Sequence, residues 1–511
     1  FADGIFQVGN QYSKTWSFTD INYAIASKED KTAMFLDYSE LLNALDSGAS
    51  AKITIYNRRI NKAEFEKSVL LPDKADGLDE YRHEFNKMLT AQVTGTSNSI
   101  VRERYLTVSV VKRNADEARS YFARVGTDLV THLAQLSSVA TELTLTERLH
   151  IFRDFFKAGE QAAAEFNIHE HARRGQHFKD WFCPDSMEFA ADHFKLDARY
   201  GRVLYLQDYA SYIKDSFVSE LCDLDRDLML SIDILPVPTD EAARQLQSTL
   251  LGVETNVANW QRRQNANNNF TATIPYDMEL QRKETKEMLD DLTTRDQRMM
   301  FGLVTLVHLA DSKEQLDSDT ETLYSTARKH LCQLSTLRWQ QKDGLDTVLP
   351  YGLRKIQALR TLTTESTAVL IPFRAQEIMQ PNGLYYGQNA VSKNMIVADR
   401  RLLLNGNSFR LGVSGSGKSM SAKEEIVQIA LSTEDDILIL DPESEFGYLT
   451  EALGGEVIRI SATSDTHINA LDMDRAYGDE RNPIVSKSEF VLSLFEQLIG
   501  DGMVTAKEKS I

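Results

Sequence analysis

The sequence predicts an α/β protein in which a larger α+β region precedes a smaller domain built on a parallel sheet. Strand-like runs alternate with amphipathic helical segments over roughly the first 365 residues. Beyond them, short apolar runs alternate with helices, a pattern typical of a parallel sheet covered by helices. The length of 511 residues suits about three domains. We place them at residues 1–160, 161–365 and 366–511.

The first region contains two β-rich runs and three helical segments. Residues 51–56 and 105–111 are rich in β-branched and aromatic side chains, as strands are. Asn114 is a good helix N-cap residue, so the helix that follows β-rich residues 105–111 is expected to start there. The predicted helices of this region are 77–89, 114–136 and 144–156.

The second region repeats this pattern after a linker predicted over residues 161–200. Its predicted strands are 228–237 and 300–309, and its helices are 239–265, capped by Thr239-Asp240, 277–295, and one that begins at Ser312. The segments YLTVSVVKRNADEARSYF and GLVTLVHLADSKEQLDSD each combine a strand, a polar cap and a helix. This likeness predicts a duplicated α+β unit.

The third region is expected to begin with turns near residue 370 and then to build its sheet. Residues 408–413, 436–440 and 457–460 are short apolar runs and are predicted as strands. Residues 419–432 carry a helical pattern. Strand, glycine-rich turn and helix therefore follow one another in the order that a phosphate-binding loop requires.

The glycine-rich turn matches the pattern G-x-x-x-x-G-K-[ST]. Glycines allow backbone angles at which successive N–H groups point at phosphate oxygens, and the following helix adds the positive end of its dipole. The lysine is expected to reach the β- and γ-phosphates and to be catalytic, and the serine hydroxyl to bind Mg²⁺. The predicted nucleotide-binding residues are Gly412, Val413, Ser414, Gly415, Ser416, Gly417, Lys418, Ser419 and Met420.

Three acidic residues follow the second apolar run. Asp441, Glu443 and Glu445 are expected at the carboxyl end of a strand, where such sheets bind ligands. At least one of them is predicted to contact nucleotide-bound water, metal or a neighbouring subunit. The alternative is that Asp441-Pro442 only terminates a strand with a turn.

Composition limits the other function classes. The formal net charge of -18 disfavours a protein whose whole surface binds nucleic acid, since phosphate contacts need Lys and Arg. Three widely spaced cysteines predict reduced thiols rather than a disulfide framework. We find no apolar stretch of about 18 residues, and we expect a cytoplasmic protein, peripheral to a membrane machine. The start at Phe1 leaves a removed leader open.

Two further segments have alternative interpretations. His169, His171, His177 and Cys183 are close in sequence, but their spacing lacks the paired ligands of a zinc site, and partner-facing histidines are favoured. The segment that begins at Trp260 (WQRRQNANNN) has residues that contact nucleic acid, although a solvated helix end is the favoured interpretation.

Several motifs together resemble the type IV secretion and conjugation ATPases of the TraC/TrbE/CagE class, within the FtsK–HerA superfamily of RecA-like hexameric motors. They are residues 411–419 (LGVSGSGKS), 439–446 (ILDPESEF), 468–473 (INALDM), 386–389 (YGQN) and 487–490 (KSEF). The resemblance covers residues from about 370 onward. Ala470 departs from it, because the family usually has proline there.

The resemblance implies a RecA-like domain that binds ATP and Mg²⁺ and powers a secretion or conjugative DNA-transfer channel. It implies a homo-oligomer, a hexamer or dimers of it, and docking of the N-terminal region on inner-membrane channel subunits. It also implies that the family's later Asp-Glu pair and arginine lie beyond Ile511, so that this chain holds a truncated motor domain and its hydrolysis is in doubt. Two alternatives stay open: a motor that translocates duplex DNA, and a nucleotide-binding assembly scaffold without turnover.

Overall fold

A computed structural model describes residues 1, 3–59, 69–95, 100–157, 173–175, 177–210, 212–224, 226–267, 273–295, 297–380, 382–473, 483–500, 505 and 507. The chain divides into two compact units, Phe1–Phe409 and Arg410–Ile511. The boundary that the sequence suggests at residue 365 therefore lies within the first unit.

The first unit is organised around one large antiparallel sheet, and it combines helices and strands. Twelve strands form the large sheet and two form a separate hairpin. Their bounds are β1 Phe6–Val8, β2 Gln11–Phe18, β3 Ala49–Arg59, β4 Ile100–Val111, β5 Ala140–Glu142, β6 Met187–Phe189, β7 Phe194–Leu196, β8 Arg199–Asp208, β9 Leu228–Pro236, β10 Met299–Ala310, β11 Gln333–Thr336, β12 Arg360–Thr363, β13 Leu384–Gln388 and β14 Met395–Ala398.

Helices connect these strands and cover the sheet. In the first unit they are α1 Lys28–Asn43, α2 Asp79–Gly95, α3 Ala115–Gln135, α4 Leu145–Phe156, α5 Phe217–Leu221, α6 Thr239–Ala266, α7 Tyr276–Thr294, α8 Lys313–Lys329, α9 Gln341–Val348 and α10 Thr364–Ala368. In the second unit they are α11 Lys418–Ser432, α12 Gly447–Ala452 and α13 Pro483–Ile499. None of the helices in the described part of the chain is both long and apolar enough to cross a bilayer.

The strand order repeats, as a duplicated unit requires. The main path runs β1-β2-β4-β3-β9-β10-β8-β7-β6, so that β2-β4-β3 is mirrored by β8-β10-β9 on the other side of the β3–β9 pair. The additional pairs follow the same rule, since β5 pairs with β2 and β11 pairs with β8. The two halves therefore share one sheet, and residues 1–160 and 161–365 do not form separate layers.

The symmetry point lies between Ile53 and Ile232, which are direct partners in the β3–β9 ladder. Ile53 also pairs with Leu106 of β4, and Ile232 pairs with Val304 of β10. Leu106 lies eight positions before the helix cap Asn114, and Val304 lies eight positions before the cap Ser312. Ile53 and Ile232 are thus equivalent positions of the two repeats, placed face to face.

Local capping confirms several of the predicted helix starts. Asn114 and Ser312 accept hydrogen bonds from the amides of Glu117 and Gln315. Thr144 forms a reciprocal capping box with Glu147 at the start of α4. At α6, by contrast, the N-cap residue is Pro238 and makes no side-chain hydrogen bond, so the predicted Thr239-Asp240 cap is wrong although the helix is present.

The predicted linker over 161–200 is wrong in its second half. Residues 187–196 form the hairpin of β6 and β7, and β8 begins at Arg199. Strands β6 and β7 are so short that an alternation of apolar and polar residues cannot be recognised in their sequence. The hairpin is fixed instead by its pairing with β8, for instance Phe194 with Gly201. Residues 158–172 lie outside the described residues.

A buried arginine joins three distant segments of the first unit. The Arg148 guanidinium donates to the carbonyl oxygens of Gly4 and Ser13, each at 2.7 Å, and to that of Pro350 at 3.3 Å. Its Cζ lies 3.8 Å from the centre of the Phe6 ring. Burial lowers the pKa of Arg148 to about 9. Carbonyl dipoles therefore hold this charge where an isolated ion would be costly.

In the second unit, the three predicted strands 408–413, 436–440 and 457–460 are wrong. The structure assigns no strand to them, and no ladder joins residues in the described part of this unit. Their apolar side chains are exposed, with Leu411 and Leu438 each at 90%. A strand needs hydrogen bonds to a neighbouring strand, which apolar composition alone does not supply. The predicted helix 419–432 is confirmed as α11.

Candidate functional site

The candidate site is the turn that leads from Gly412 into α11. Gly415 and Gly417 have φ of +78° and +89°, a region that side chains rarely adopt. The amide of Ser416 donates to the Val413 carbonyl at 3.2 Å and closes the turn. A Cβ on Gly412 would lie 2.4 Å from Ser416 Oγ. Glycine is therefore favoured at positions 415 and 417 by the backbone angles, whereas a side chain at position 412 would require the Ser416 hydroxyl to rotate away.

Helix α11 starts immediately after the turn. Gly417 is its N-cap residue, and its carbonyl accepts the first helical hydrogen bond, from the Ser421 amide at 2.9 Å. The amides of Lys418, Ser419 and Met420 precede that bond and have no acceptor within the helix. Amides in this position, together with the helix dipole, favour an anion.

Lys418 is the cation of this turn. Its Nζ donates to the carbonyl oxygens of Gly412 at 2.8 Å and Val413 at 3.2 Å. Since its side chain is exposed, the ammonium group lies over the loop on the surface of the unit. The charge and the amides of the helix terminus are thus brought together, as the motif predicts. Ser414 is exposed in the same turn.

Ser419 and Met420 occupy the first turn of α11. Ser419 is half-buried and Met420 is exposed. A serine hydroxyl beside the lysine and the turn is suited to hold Mg²⁺ through its oxygen, because magnesium prefers oxygen ligands and is shared with substrate phosphates. Met420 contributes its amide to the helix terminus.

An ion pair joins the chain before the loop to the helix after it. Arg410 donates to the carboxylate of Glu425, which is buried in α11. The two arms of the turn are therefore linked by a charge-assisted contact of the strong kind. Sequence reasoning missed this pair, since two charges 15 positions apart give no signal without the turn between them.

Of the three predicted acids, Asp441 has a defined role in local structure. Its Oδ2 accepts the Phe446 amide at 2.8 Å, and this hydrogen bond holds the pKa of Asp441 below its ordinary value. Ser444, at φ +59°, completes the turn. Asp441 thus lies in a local turn, but no strand precedes it, so the alternative of a strand-terminating turn does not describe this segment.

One contact joins this acidic turn to the loop helix. Lys423 Nζ of α11 lies 5.3 Å from the centre of the Phe446 ring, a distance typical of a cation–π contact. The other two predicted acids, Glu443 and Glu445, are exposed in the turn between Asp441 and Phe446. Phe446, at the end of this acidic turn, is therefore in contact with the helix that begins at the candidate phosphate site.

Among the residues that the structure describes, the remaining candidates form no second site. His169 and His171 lie outside the described residues, and within the described part of the chain no three His, Cys, Asp or Glu side chains are grouped as metal ligands. Cys183, Cys222 and Cys332 are all free, and the last two are buried, as predicted for reduced thiols. Neither a scan against protein-family models nor a search of the curated proteins finds a match to this chain.

Proposed function

We propose that the chain binds a nucleoside triphosphate, ATP, with Mg²⁺ at the turn between Gly412 and Ser419. The observation that carries the proposal is the coincidence of three features in one turn. Two glycines hold positive φ, the free amides of a 15-residue helix follow directly, and Lys418 places its charge over the same loop. Together they form an anion cradle that suits the phosphates of a nucleotide.

The roles of the residues follow from their chemistry. The amides of Gly415 and of Gly417 to Met420 would hold the phosphate oxygens, Lys418 would neutralise the β- and γ-phosphates, and Ser419 would bind Mg²⁺. When bound, Mg²⁺ supplies charge stabilisation for transfer of the γ-phosphoryl group. Asp441, Glu443 and Glu445 are the candidates for holding metal-bound water.

We further propose a biological role as an ATPase of type IV secretion or conjugative DNA transfer. Support comes from the resemblance of the phosphate loop, the ILDPESEF segment and the INALDM segment to that class of RecA-like motors. The same resemblance supports a homo-oligomer at the cytoplasmic face of the membrane, docked on inner-membrane subunits of the channel. It likewise keeps open a motor of the same superfamily that moves duplex DNA.

One structural observation favours a second candidate, a nucleotide-binding scaffold without turnover. The apolar segments on either side of the loop are exposed and join no described sheet, so Asp441 is held by its own turn rather than by a strand beside Ser419. Catalysis requires groups fixed around the γ-phosphoryl group. Binding of a nucleotide without turnover requires only the anion cradle.

Titration with ATP and Mg²⁺ tests the binding proposal. We expect the 511-residue chain to bind ATP at or below millimolar concentrations, and Lys418→Ala to weaken binding at least tenfold. Lys28→Ala is the matched control, because Lys28 is also an exposed lysine at the first position of a long helix but follows Ser27 rather than a glycine turn. Equal affinities of all three chains would refute the site. Phosphate release by the same samples separates motor from scaffold.

A further inference from the structure

The distal end of the α6–α7 hairpin has a surface composition unlike that of the rest of the chain. Buried residues occur along α6 only as far as Val257, and along α7 only from Thr285 onward, among the described residues of the two helices. The ends that face the connection between the helices are therefore exposed. We call the described residues 258–267 and 273–276 the hairpin tip.

Ion pairs set the register of the two helices. Arg282 Nε and Lys286 Nζ of α7 meet Glu254 Oε1 of α6 at 2.9 Å and 3.2 Å. The two helices are antiparallel. A residue six positions before Arg282 in α7 therefore lies level with residues about six to eight positions after Glu254 in α6. This brings Tyr276 level with Trp260 to Arg262. One aromatic ring and the basic residues of α6 therefore lie at the same end of the hairpin.

The hairpin tip is basic in a strongly acidic chain. No Asp or Glu occurs between Glu254 and Asp277, although the chain carries 75 acidic residues and a net charge of -18. Arg262 and Arg263 are exposed, and neither forms an ion pair within the described residues. At the base of the same hairpin the arginines are paired, Arg244 with Asp240 and Arg295 with Asp291. The unpaired cations are thus confined to the tip.

Amides and aromatic rings are frequent among the other side chains of the tip. Asn259, Gln261, Asn265 and Asn267 are exposed, and Tyr276 is 76% exposed. Amides offer donors and acceptors at once, which suits nucleotide bases and sugars, while arginines contact phosphates. A flat exposed ring provides a surface for base stacking, which requires an unpaired base. A membrane-binding helix would need a broad apolar face, which this polar end lacks.

From this arrangement we infer that the hairpin tip is a contact surface for single-stranded nucleic acid. Arg262 and Arg263 bind its phosphates, Tyr276 stacks on a base, and the amides hydrogen-bond without fixing a sequence. The surface is independent of the phosphate loop, so the inference does not depend on whether the chain binds ATP. In this proposal, the hairpin tip is the surface at which this acidic protein contacts a polyanionic strand.

Fluorescence anisotropy with a labelled oligothymidylate of about 20 nucleotides tests the inference, because single-strand sites span roughly 4–16 nucleotides. The 511-residue chain is used without nucleotide. We expect salt-dependent binding that Arg262→Ala/Arg263→Ala weakens at least tenfold. Loss of two phosphate contacts should also reduce the salt slope of log K by about 1.4. Tyr276→Ala should weaken binding about fivefold or more, since it removes one stacked base.

The matched control is Arg244→Ala/Arg295→Ala, which removes the same charge from the base of the same hairpin. This variant should bind the oligonucleotide as the unmodified chain does. Equal weakening by both double variants, or no binding by the unmodified chain, would overturn the inference. Binding to vesicles containing phosphatidylserine, but not to the oligonucleotide, would overturn it in favour of a lipid surface. Repeating the titration with Lys418→Ala separates this result from any failure of the nucleotide site.

Discussion

Lys52 and Asp233 face each other across the β3–β9 pair, with Lys52 Nζ 3.5 Å from Asp233 Oδ1 and both side chains almost wholly buried. Lys52 also donates to the carbonyl oxygens of Thr347 and Leu353. Asp233 Oδ2 has no hydrogen-bond partner within the described structure. At the position related by the internal symmetry, Thr54 and Ser231 share a hydrogen bond of 2.9 Å instead. The Lys52–Asp233 pair is thus charged, whereas its symmetry-related counterpart, the Thr54–Ser231 pair, is neutral.

Asp233 should make the stability of the protein depend on pH. Burial raises its pKa to about 6, against the attraction of Lys52 and Arg354. A carboxyl group whose pKa is higher in the folded state stabilises the fold below its unfolded pKa near 3.9, and this contribution is lost as pH rises through about 6. Relative to Asp233→Asn, the unmodified chain should therefore lose about 2 kcal/mol between pH 4 and pH 6, and about 3 kcal/mol in total once the pH is well above 6.

Urea unfolding of both chains across this pH range measures the effect. Asp277→Asn, at an exposed position, carries the same change in formal charge and serves as control. A difference between the unmodified chain and Asp233→Asn that stays constant with pH would show that this carboxyl group does not titrate in the range. Lys52 stays buried in the variant. The pH dependence of the free energy of unfolding, and not its absolute difference between the two chains, therefore reports the titration of Asp233.

Gly417 should be required for nucleotide affinity because of its backbone angle. Alanine at φ +89° is strained by about 1–2 kcal/mol, and relief of this strain would turn the amides away from the cradle. We expect Gly417→Ala to weaken ATP binding about tenfold in calorimetry, which corresponds to about 1.4 kcal/mol.

Gly447 provides the control for this glycine. It is the first residue of α12, has no positive φ, and a Cβ there would meet open space. Gly447→Ala should leave ATP affinity unchanged and, if anything, stabilise the chain slightly. Unchanged affinity in Gly417→Ala would mean that the loop does not need its observed conformation to bind.

Asp441→Asn separates the structural role of Asp441 from a role toward Mg²⁺. The asparagine oxygen still accepts the Phe446 amide, so the turn should persist, while the negative charge is lost. We expect the Mg²⁺-dependent part of ATP affinity to fall several-fold, because a water-bridged metal contact needs the charge. Asp441→Ala should lose both the turn and this contact. If Asp441→Asn titrates with Mg²⁺ and ATP as the unmodified chain does, Asp441 serves the turn alone.

The sequence was informative where local chemistry decides the structure. Asn114, Thr144 and Ser312 predict helix starts because the cap is formed by neighbouring residues. The phosphate turn is predictable for the same reason, since its glycines and Lys418 lie within one short segment. Strand β2 was not predicted because Lys14 interrupts the alternation of apolar and polar residues from Tyr12 to Phe18.

Prediction failed where distant partners decide the structure. Residues 408–413 and 436–440 have the composition of buried strands, yet composition does not show which backbone they would pair with. The contact of Arg410 with Glu425 and that of Lys423 with Phe446 likewise depend on how the chain turns back. The pairing of Ile53 with Ile232 could not be predicted, because the repeated strand-cap-helix pattern lies in β4 and β10 and does not show that β3 pairs with β9.

The position of Ile53 opposite its own counterpart has a consequence for any attempt to dissect the chain. Cutting the chain between the repeats would expose the backbone edge of β3. Ile53, at the centre of that edge, normally pairs with Ile232, the equivalent residue of the other repeat. An isolated first repeat would therefore offer a self-complementary border, around which two identical copies fit by a twofold rotation. The covalent link between the repeats turns what would otherwise be a concentration-dependent association into a permanent one.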